Sequence, residues 1–543
     1  MPVRTVVHAR FDFQRRAFMI GELRVQNVRL FGGEDPQAFP LAPLTVLTGT
    51  NSSGKSTVLK ILPLLRQTQG IGEAAITEDG KLRLKGTQVD LGTFQSFVTD
   101  NDTDRTIGIG LTYPASTTKA FVRWLEAIES GNADQFKVTS GDQEPTPYNI
   151  KCWFEFVADP SAQSGRRISG GTLSKATFET IINGRNMLSW RLTSVRQQEG
   201  GHLIRLSFPK PFWEASGIGR FLRPLEGSET TEVDHITALR GILPSIILAQ
   251  VLPQQTAATV IQRAGKEDEA EEQWSRWPLP SLTEDAVNAL KTVLERVHYV
   301  GPLRSQGKRF YLAEDDVSPG LDPAGAFLPY VLRDKGDEKV MNAHLVSTDY
   351  EPIEETLTDA LNYWLAYLRT CDPVIAQKEQ MEFDLASTDK LVELKLQSPS
   401  STQKFSLEDS GFGYSQLLPV LTRGLLAEVG GTLVVEQPEV HLHPALQVRL
   451  ANFFIAMARC GKQVVLETHS EHLINAIRVL VAEAADKSFA QLCKVYFLEV
   501  KDVGPAVHEL AVKPDGTFED IPKTFFGEAL ELSGRLLRAQ KHH

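Results

Sequence analysis

Nine residues constrain this chain more than any other feature: Gly49-Thr50-Asn51-Ser52-Ser53-Gly54-Lys55-Ser56-Thr57 lies between the apolar run Leu44-Thr45-Val46-Leu47 and the helical pattern Val58-Leu59-Lys60-Ile61-Leu62. Strand, glycine loop and helix in that order make a phosphate-binding loop. Glycines at 49 and 54 let the backbone curl so that its amides face phosphate oxygens, Lys55 can reach the β and γ oxygens, and the Ser56 hydroxyl is placed for Mg²⁺. A helix expected from about Gly54 to Arg66 adds its positive N-terminal end. A glycine turn that merely matched the pattern would not need the strand and helix on either side, so the sequence predicts a site for ATP with Mg²⁺.

The chain has 543 residues, room for three or four ordinary domains or for one ATPase core split by insertions. Hydrophobic residues make up 42% and charged ones 23%, the balance of a globular protein. The densest apolar run, Gly241 to Ala249, is interrupted by Pro244 and is too short to span a bilayer. It reads as buried helix. Arg4, Arg10, Arg15 and Arg16 are not followed by an apolar secretion segment, so a cytoplasmic protein without a membrane partner is expected. Cys152, Cys371, Cys460 and Cys493 are too scattered for a zinc knuckle or disulfide framework. The formal charge of −11 argues against a surface that coats nucleic acid as a whole and leaves room for a local basic groove. The acidic run Glu267 to Glu272 reads as a solvated face.

Along the chain the expected fold class is α/β, a P-loop ATPase head with an antiparallel β subdomain and an inserted helical arm or lid. Met19 to Phe31 reads as a strand, and apolar alternation between Leu82 and Leu206 predicts an antiparallel sheet. Between His235 and Val297 the spacing of Leu239, Ile242, Leu243, Ile246, Ile247 and Val251, then of Ala286, Leu290, Val293, Leu294 and Val297, predicts helices. Another is expected over Ile353 to Arg369. From Met381 the chain alternates strands (Met381 to Leu385, Lys390 to Leu396, Thr432 to Glu436, Gln463 to Glu467) with helices from about Ser415, after Pro444 and after Ser470. Alternation of this kind builds a parallel sheet covered by helices. The expected divisions are 1–110 (N-terminal part of the head), 111–234 (β-rich part), 235–380 (helical arm or lid), 381–490 (C-terminal part of the head) and 491–543 (tail).

A second segment carries chemistry. Thr432-Leu433-Val434-Val435-Glu436 is an apolar strand ending in an acid, which with Ser56 would hold the metal that bridges the β and γ phosphates. Upstream, Leu407-Glu408-Asp409-Ser410-Gly411-Phe412-Gly413-Tyr414-Ser415-Gln416 is a glycine-containing turn opening a helix, and downstream comes Glu467-Thr468-His469. In this order and distance these elements resemble the ATP-binding cassette superfamily, in its RecF-like and OLD-like branch. The resemblance implies a head-to-tail dimer, or a higher oligomer, with ATP between the phosphate loop of one copy and the signature turn of the other. Ser410 or Ser415, with Gly411, Gly413 and Gln416, would supply that turn. It further implies that His469 contacts the γ phosphate and that Gln95, or Gln88, completes the Mg²⁺ shell.

Gln437 departs from the superfamily, which usually places there the glutamate that polarises the attacking water. Glutamine can orient water but cannot take its proton, so hydrolysis is expected to be slow, or to draw its base from Glu439 or His469. For His441 and His443, which could suggest zinc, the resemblance to the OLD-like branch implies instead a loop at the seam between two copies.

Within the superfamily, Glu436-Gln437-Pro438-Glu439-Val440-His441-Leu442-His443-Pro444, Glu467-Thr468-His469-Ser470-Glu471-His472-Leu473, Tyr299-Val300-Gly301-Pro302-Leu303-Arg304 and the tail from Asp515 to Phe526 resemble the Septu and retron-associated ATPases, the PtuA family. That resemblance implies anti-phage defence, an HNH nuclease partner of the PtuB kind, and in retron systems a reverse transcriptase with its DNA–RNA product. It is weak over roughly Gly110 to Leu290. Arg304, Lys308 and Arg309 suit phosphate contacts or a salt-bridged surface loop. The alternatives are a RecF-like or Rad50-like repair ATPase acting on DNA, an OLD-type nuclease, or a transporter subunit. The absent coiled-coil repeat and the acidic charge weigh against the repair ATPases, the short chain after His472 against the nuclease, and the Glu436-Gln437-Pro438-Glu439 wording with the long insertion against the transporter subunit.

Overall fold

The computed structural model describes residues 19–71, 80–132, 144–159, 163–164, 167–168, 170–194, 203–215, 232–240, 243–244, 279–312, 322–378, 382–388, 391–397, 403–409, 412–501, 504–519, 521–522, 525, 535 and 538. The chain divides into two compact units, one of residues 1–15, 41–60 and 296–543, the other of residues 16–40 and 61–295. No helix among the described residues is long and apolar enough to cross a membrane.

The unit that carries residues 49–57 is built on a six-stranded sheet. Its strands are β1 (Leu44–Gly49), β2 (Val297–Val300), β3 (Thr432–Glu436), β4 (Gln463–Glu467), β5 (Cys493–Lys501) and β6 (Gly504–Ala511), in the order β2-β3-β4-β1-β5-β6. The first five run parallel and β6 returns antiparallel to β5. Every residue of β3 and β4 is buried, as expected of strands covered on both faces. The helices of this unit include α1 (Lys55–Leu59), α2 (Leu357–Thr370), α3 (Phe412–Leu426), α4 (Pro444–Arg459) and α5 (Glu471–Glu483). Their apolar sides share one core with the sheet, in which Trp364 of α2 meets Phe453 of α4 edge to face at 5.2 Å. The mixed α/β fold with a loop of the phosphate-binding kind between β1 and α1 is the one the sequence predicts.

One cation lies in that core. Lys462 is 0% exposed and donates to the carbonyls of Gly424 and Leu425, near the end of α3, at 3.0 and 2.8 Å. Burial pushes its ammonium down to about 8. Between that value and the ordinary one the unfolded chain holds a proton the folded chain has shed, so stability increases as pH rises through this window, by up to about 3 kcal/mol. Denaturant titrations of the wild type and Lys462→Met at pH 8 and pH 10 test this. The wild type is expected to gain on the variant at the higher pH, and parallel behaviour would contradict the assignment.

The other unit is dominated by an antiparallel ten-stranded sheet. Its order is Leu243–Pro244, Glu232–Arg240, Leu203–Pro209, Arg185–Ser194, Gly171–Ile182, Pro145–Ala158, Ile107–Thr118, Glu22–Gln26 and Gln37–Pro40, with Lys81–Leu82 beside Gly171–Ile182. Alternation buries Phe154, Phe178, Trp190 and Phe208, and the rings of Phe178 and Trp190 stack at 4.3 Å. Gly108 is glycine because the Trp153 ring crosses it: a Cβ there would lie 2.0 Å from a ring carbon.

Several expectations change. Residues 235–240, where helix was expected from His235 on, belong to the strand Glu232–Arg240, whose residues 232–238 pair with Leu203–Pro209; Val233, Ile236 and Thr237 are β-branched, and this ladder outweighs the helical spacing. The rest of the Gly241 to Ala249 run lies outside the described residues, apart from Leu243–Pro244, which is also strand. Residues 353–356 belong to the strand Asp349–Thr356, and α2 starts at Leu357 because the Thr356 hydroxyl caps it by accepting the Asp359 amide at 3.1 Å. Of the span 235–380, only Leu279–Glu295, Leu328–Lys335, α2 and Pro373–Lys378 are described as α-helix. Glu382–Thr388 and Leu391–Gln397 pair antiparallel in a separate small sheet instead of joining the parallel one. The single helix expected from Gly54 to Arg66 is two, Lys55–Leu59 and Ile61–Thr68, since Pro63 has no N–H to give the preceding turn.

Candidate functional site

The site forms where β1, β3 and β4 end side by side. Gly49 closes β1 at φ 136°, and Thr50 donates its amide to the Leu498 carbonyl at 3.0 Å. A Cβ on Gly49 would meet that carbonyl oxygen at 1.9 Å, so only glycine fits. Gly54, at φ 96°, turns the chain into α1. Asn51 and Ser52 are exposed, with Ser52 also at positive φ, whereas Ser53 and Thr57 are buried and the Ser53 hydroxyl donates to the Thr50 carbonyl at 2.8 Å.

Lys55 is 4% exposed and folds back on its own loop, donating to the carbonyls of Gly49 (3.2 Å) and Thr50 (2.6 Å) and the Ser53 hydroxyl (3.4 Å). Burial lowers its ammonium pKa, and the nearby Glu467 carboxylate opposes that. Ser56 donates to Glu467 Oε1 at 2.8 Å.

Glu436, the acid read as the metal holder, sits beside Glu467 in the register of β3 and β4. Its Oε1 accepts the Tyr299 hydroxyl and its Oε2 lies 3.2 Å from Lys60 Nζ. Burial raises the Glu436 pKa, with Lys60 and Tyr299 opposing, and lifts that of the Tyr299 hydroxyl well above its ordinary value. Glu467 is pushed up to about 7 by burial, with the Ser56 hydrogen bond opposing and the Glu436 charge adding to it.

Gln437 follows at φ 43° with its backbone pinned from both sides: its amide donates to the Glu467 carbonyl at 2.8 Å, and its carbonyl accepts from Arg304 at 3.2 Å. Arg304 also donates to the Glu436 carbonyl at 2.6 Å, and burial lowers its guanidinium to about 10. It is 6% exposed and buried behind the strand end, not part of a surface loop. Glu439 Oε1 accepts the His469 amide at 2.7 Å, so these two candidate bases are joined through backbone. Burial raises the Glu439 pKa, while burial and the Lys55 charge lower that of His469, which keeps its exposed imidazole neutral near pH 7.

Other residues sit elsewhere. Ser415 and Gln416 are 4% and 2% exposed on α3, and the Gln416 side chain reaches the Arg304 carbonyl at 3.5 Å. Gly413 is half-buried on the first turn of α3, and Ser410 and Gly411 lie outside the described residues. Gln95 is half-buried on the four-residue helix Phe94–Phe97, and Gln88 is half-buried near it in sequence, both in the second unit. His443 caps α4, its Nδ1 accepting the Ala445 amide at 3.2 Å, and His441 is exposed at φ 62°. Arg309 pairs with Glu408 and Asp409, both at 3.2 Å. Among the described residues no group of three or more His, Cys, Asp and Glu is placed to hold a metal by itself. Mg²⁺ suits the residues present, because it is ordinarily held by one or two carboxylates plus phosphate oxygens, and Glu467 Oε2 is a buried acceptor with no partner.

Tyr299, Lys60 and Glu467 were given no role of their own from sequence, although Glu467 and Tyr299 open segments that carry the family resemblance. For Glu467 the signal was there: an acid closing an apolar strand, as at Glu436.

Residues 329–474 match the family model described as AAA ATPase domain. That span holds α2 to β4, with Glu436, Gln437, Glu439, Glu467 and His469, and leaves the loop Gly49–Thr57 outside it. Among solved structures the chain is similar to an Smc head bound to the C-winged helix domain of ScpA (10% identity over 91% of this chain and 98% of that one, TM-score 0.34). It is also similar to an Smc head domain with an extended coiled coil bound to the C-terminal domain of ScpA from Pyrococcus furiosus (11%, 96% and 99%, 0.33) and to the SMC head domain from Thermotoga maritima (10%, 90% and 98%, 0.32). No curated protein matches the sequence.

Proposed function

We propose that this chain is an ABC-type ATPase that binds ATP with Mg²⁺ in the loop Gly49–Thr57, hydrolyses it slowly, and pairs with a second copy around the nucleotide. In that nucleotide-governed state it scaffolds or restrains a partner nuclease of the HNH class, in anti-phage defence of the Septu or retron kind. The observation that carries the nucleotide reading is the convergence of Lys55, Ser56, Glu436 and Gln437 at the ends of adjacent strands. The partner and the defence role rest on the wording of residues 436–444, 467–473 and 299–304.

In this reading the loop amides and Lys55 bind the phosphates, and Ser56 and Glu436 hold the cation. Bound magnesium would neutralise charge on the β and γ oxygens. Lys55 exchanges the Gly49 and Thr50 carbonyls for phosphate oxygens. Gln437 orients the attacking water without taking its proton, and Glu439 and His469 lie one hydrogen bond apart as the remaining candidates for that proton. Ser410, with Gly411, is the hydroxyl proposed to reach a second copy, since Ser415 is buried on its own α3.

Light scattering tests the pairing. The chain is expected to double in mass with ATP and Mg²⁺, and Ser410→Arg to stay at the mass of one copy while still binding nucleotide. A parent chain of unchanged mass with saturating nucleotide would refute the dimer, and co-expression with an HNH nuclease that neither binds nor is restrained would refute the partner.

A further inference from the structure

Two acids end neighbouring strands at one level, and their surroundings differ. Both oxygens of Glu436 are occupied, one by the Tyr299 hydroxyl and the other by Lys60 at 3.2 Å. Its charge is compensated where it stands. Glu467 is 2% exposed, takes the Ser56 hydroxyl on Oε1 at 2.8 Å, and keeps Oε2 buried with no partner. Lys55, the cation of the adjoining loop, gives its ammonium to the carbonyls of Gly49 and Thr50 and to Ser53. An unsatisfied buried carboxylate oxygen calls for a ligand. Its neighbour Ser56 is the residue that a phosphate loop gives to a divalent cation, and a hydroxyl can donate its proton to one carboxylate while its lone pair faces the metal. A small cation that keeps several waters needs only one or two carboxylates from the protein.

We infer that Glu467 is a protein ligand to the divalent cation of the bound nucleotide, seated beside Ser56, and that Glu436 reaches the cation only by leaving Lys60 and Tyr299. This rests on the nucleotide reading of Gly49–Thr57. The strand pairing supplies the geometry, because the register of β3 and β4 sets Glu467 level with Glu436 while the hydroxyl of Ser56 selects Glu467.

The test is the affinity of a fluorescent ATP analogue with Mg²⁺ and with chelator, together with electron paramagnetic resonance of bound Mn²⁺. Glu467→Gln keeps the shape and the acceptor for Ser56. It is expected to bind the metal-free analogue at least as tightly as the parent does, since a negative charge near the phosphates is gone, to lose roughly 10-fold or more of the strengthening that Mg²⁺ gives, and to weaken the Mn²⁺ signal. Glu467→Asp, which withdraws the carboxylate but keeps the charge, is expected to fall between them and serves if the first variant does not fold. A parent that binds no nucleotide would remove the site reading itself. A parent that does bind, beside Glu467 variants with an undiminished cation effect, would overturn this inference alone, as would loss of that effect confined to Glu436→Gln.

Discussion

Replacing Lys55 by alanine is expected to weaken nucleotide binding by about 100-fold or more, equivalent to about 2.7 kcal/mol, in a titration with a fluorescent ATP analogue. The lysine is buried, and its ammonium holds two loop carbonyls that have no call on it once phosphate arrives. Those contacts are charge-assisted, so they keep Lys55 aligned along the loop before any ligand enters. Removing it takes away the one loop cation that can reach the β and γ oxygens. Thermal melting separates this from a folding defect, because the strand pairing of Leu44–Gly49 with Gln463–Glu467 and Cys493–Lys501 does not involve the side chain. Unchanged affinity in a folded variant would end the nucleotide reading.

The loop was legible because its signal is local: strand, glycine pair, lysine and helix occupy consecutive residues. The ends of β3 and β4 were legible for a related reason, since an apolar strand fully buried in a parallel sheet must stop where its first charge appears, at Glu436 and at Glu467. What surrounds Glu436 was not legible. Tyr299 meets it only because β2 lies beside β3 across more than a hundred residues of chain, and no periodicity within Val297–Val300 announces that neighbour. Lys60 meets it from the break between two short helices, which the helical spacing of residues 58–62 concealed. Arg304 was ambiguous on composition, and burial decided it, placing the guanidinium against the carbonyls of Glu436 and Gln437. At 235–240 the helical spacing misled because a strand partner was available to override it.

Gln437→Glu is expected to raise turnover, by about 100-fold if the missing proton acceptor is what slows the parent, against a typical gain of about 10²–10⁴ from a positioned base. The frame favours the exchange. Its amide is fixed on the Glu467 carbonyl and its own carbonyl on Arg304, so the left-handed backbone at φ 43° is set by neighbours that a glutamate leaves in place. The new carboxylate stands near Glu436, Glu439 and Glu467, and like charge together with burial raises its pKa toward neutrality, where a base works best. Activity should therefore rise with pH through the range in which the added group loses its proton. The parent, lacking that group, should turn over well below about 10 s⁻¹, the ordinary median. Steady-state phosphate release, measured from pH 6 to 9 with nucleotide affinity followed in parallel, distinguishes the outcomes. A variant that binds ATP as the parent does and turns over no faster would show that Gln437 is not the brake, and would move the proton to Glu439 or His469, which one hydrogen bond already joins.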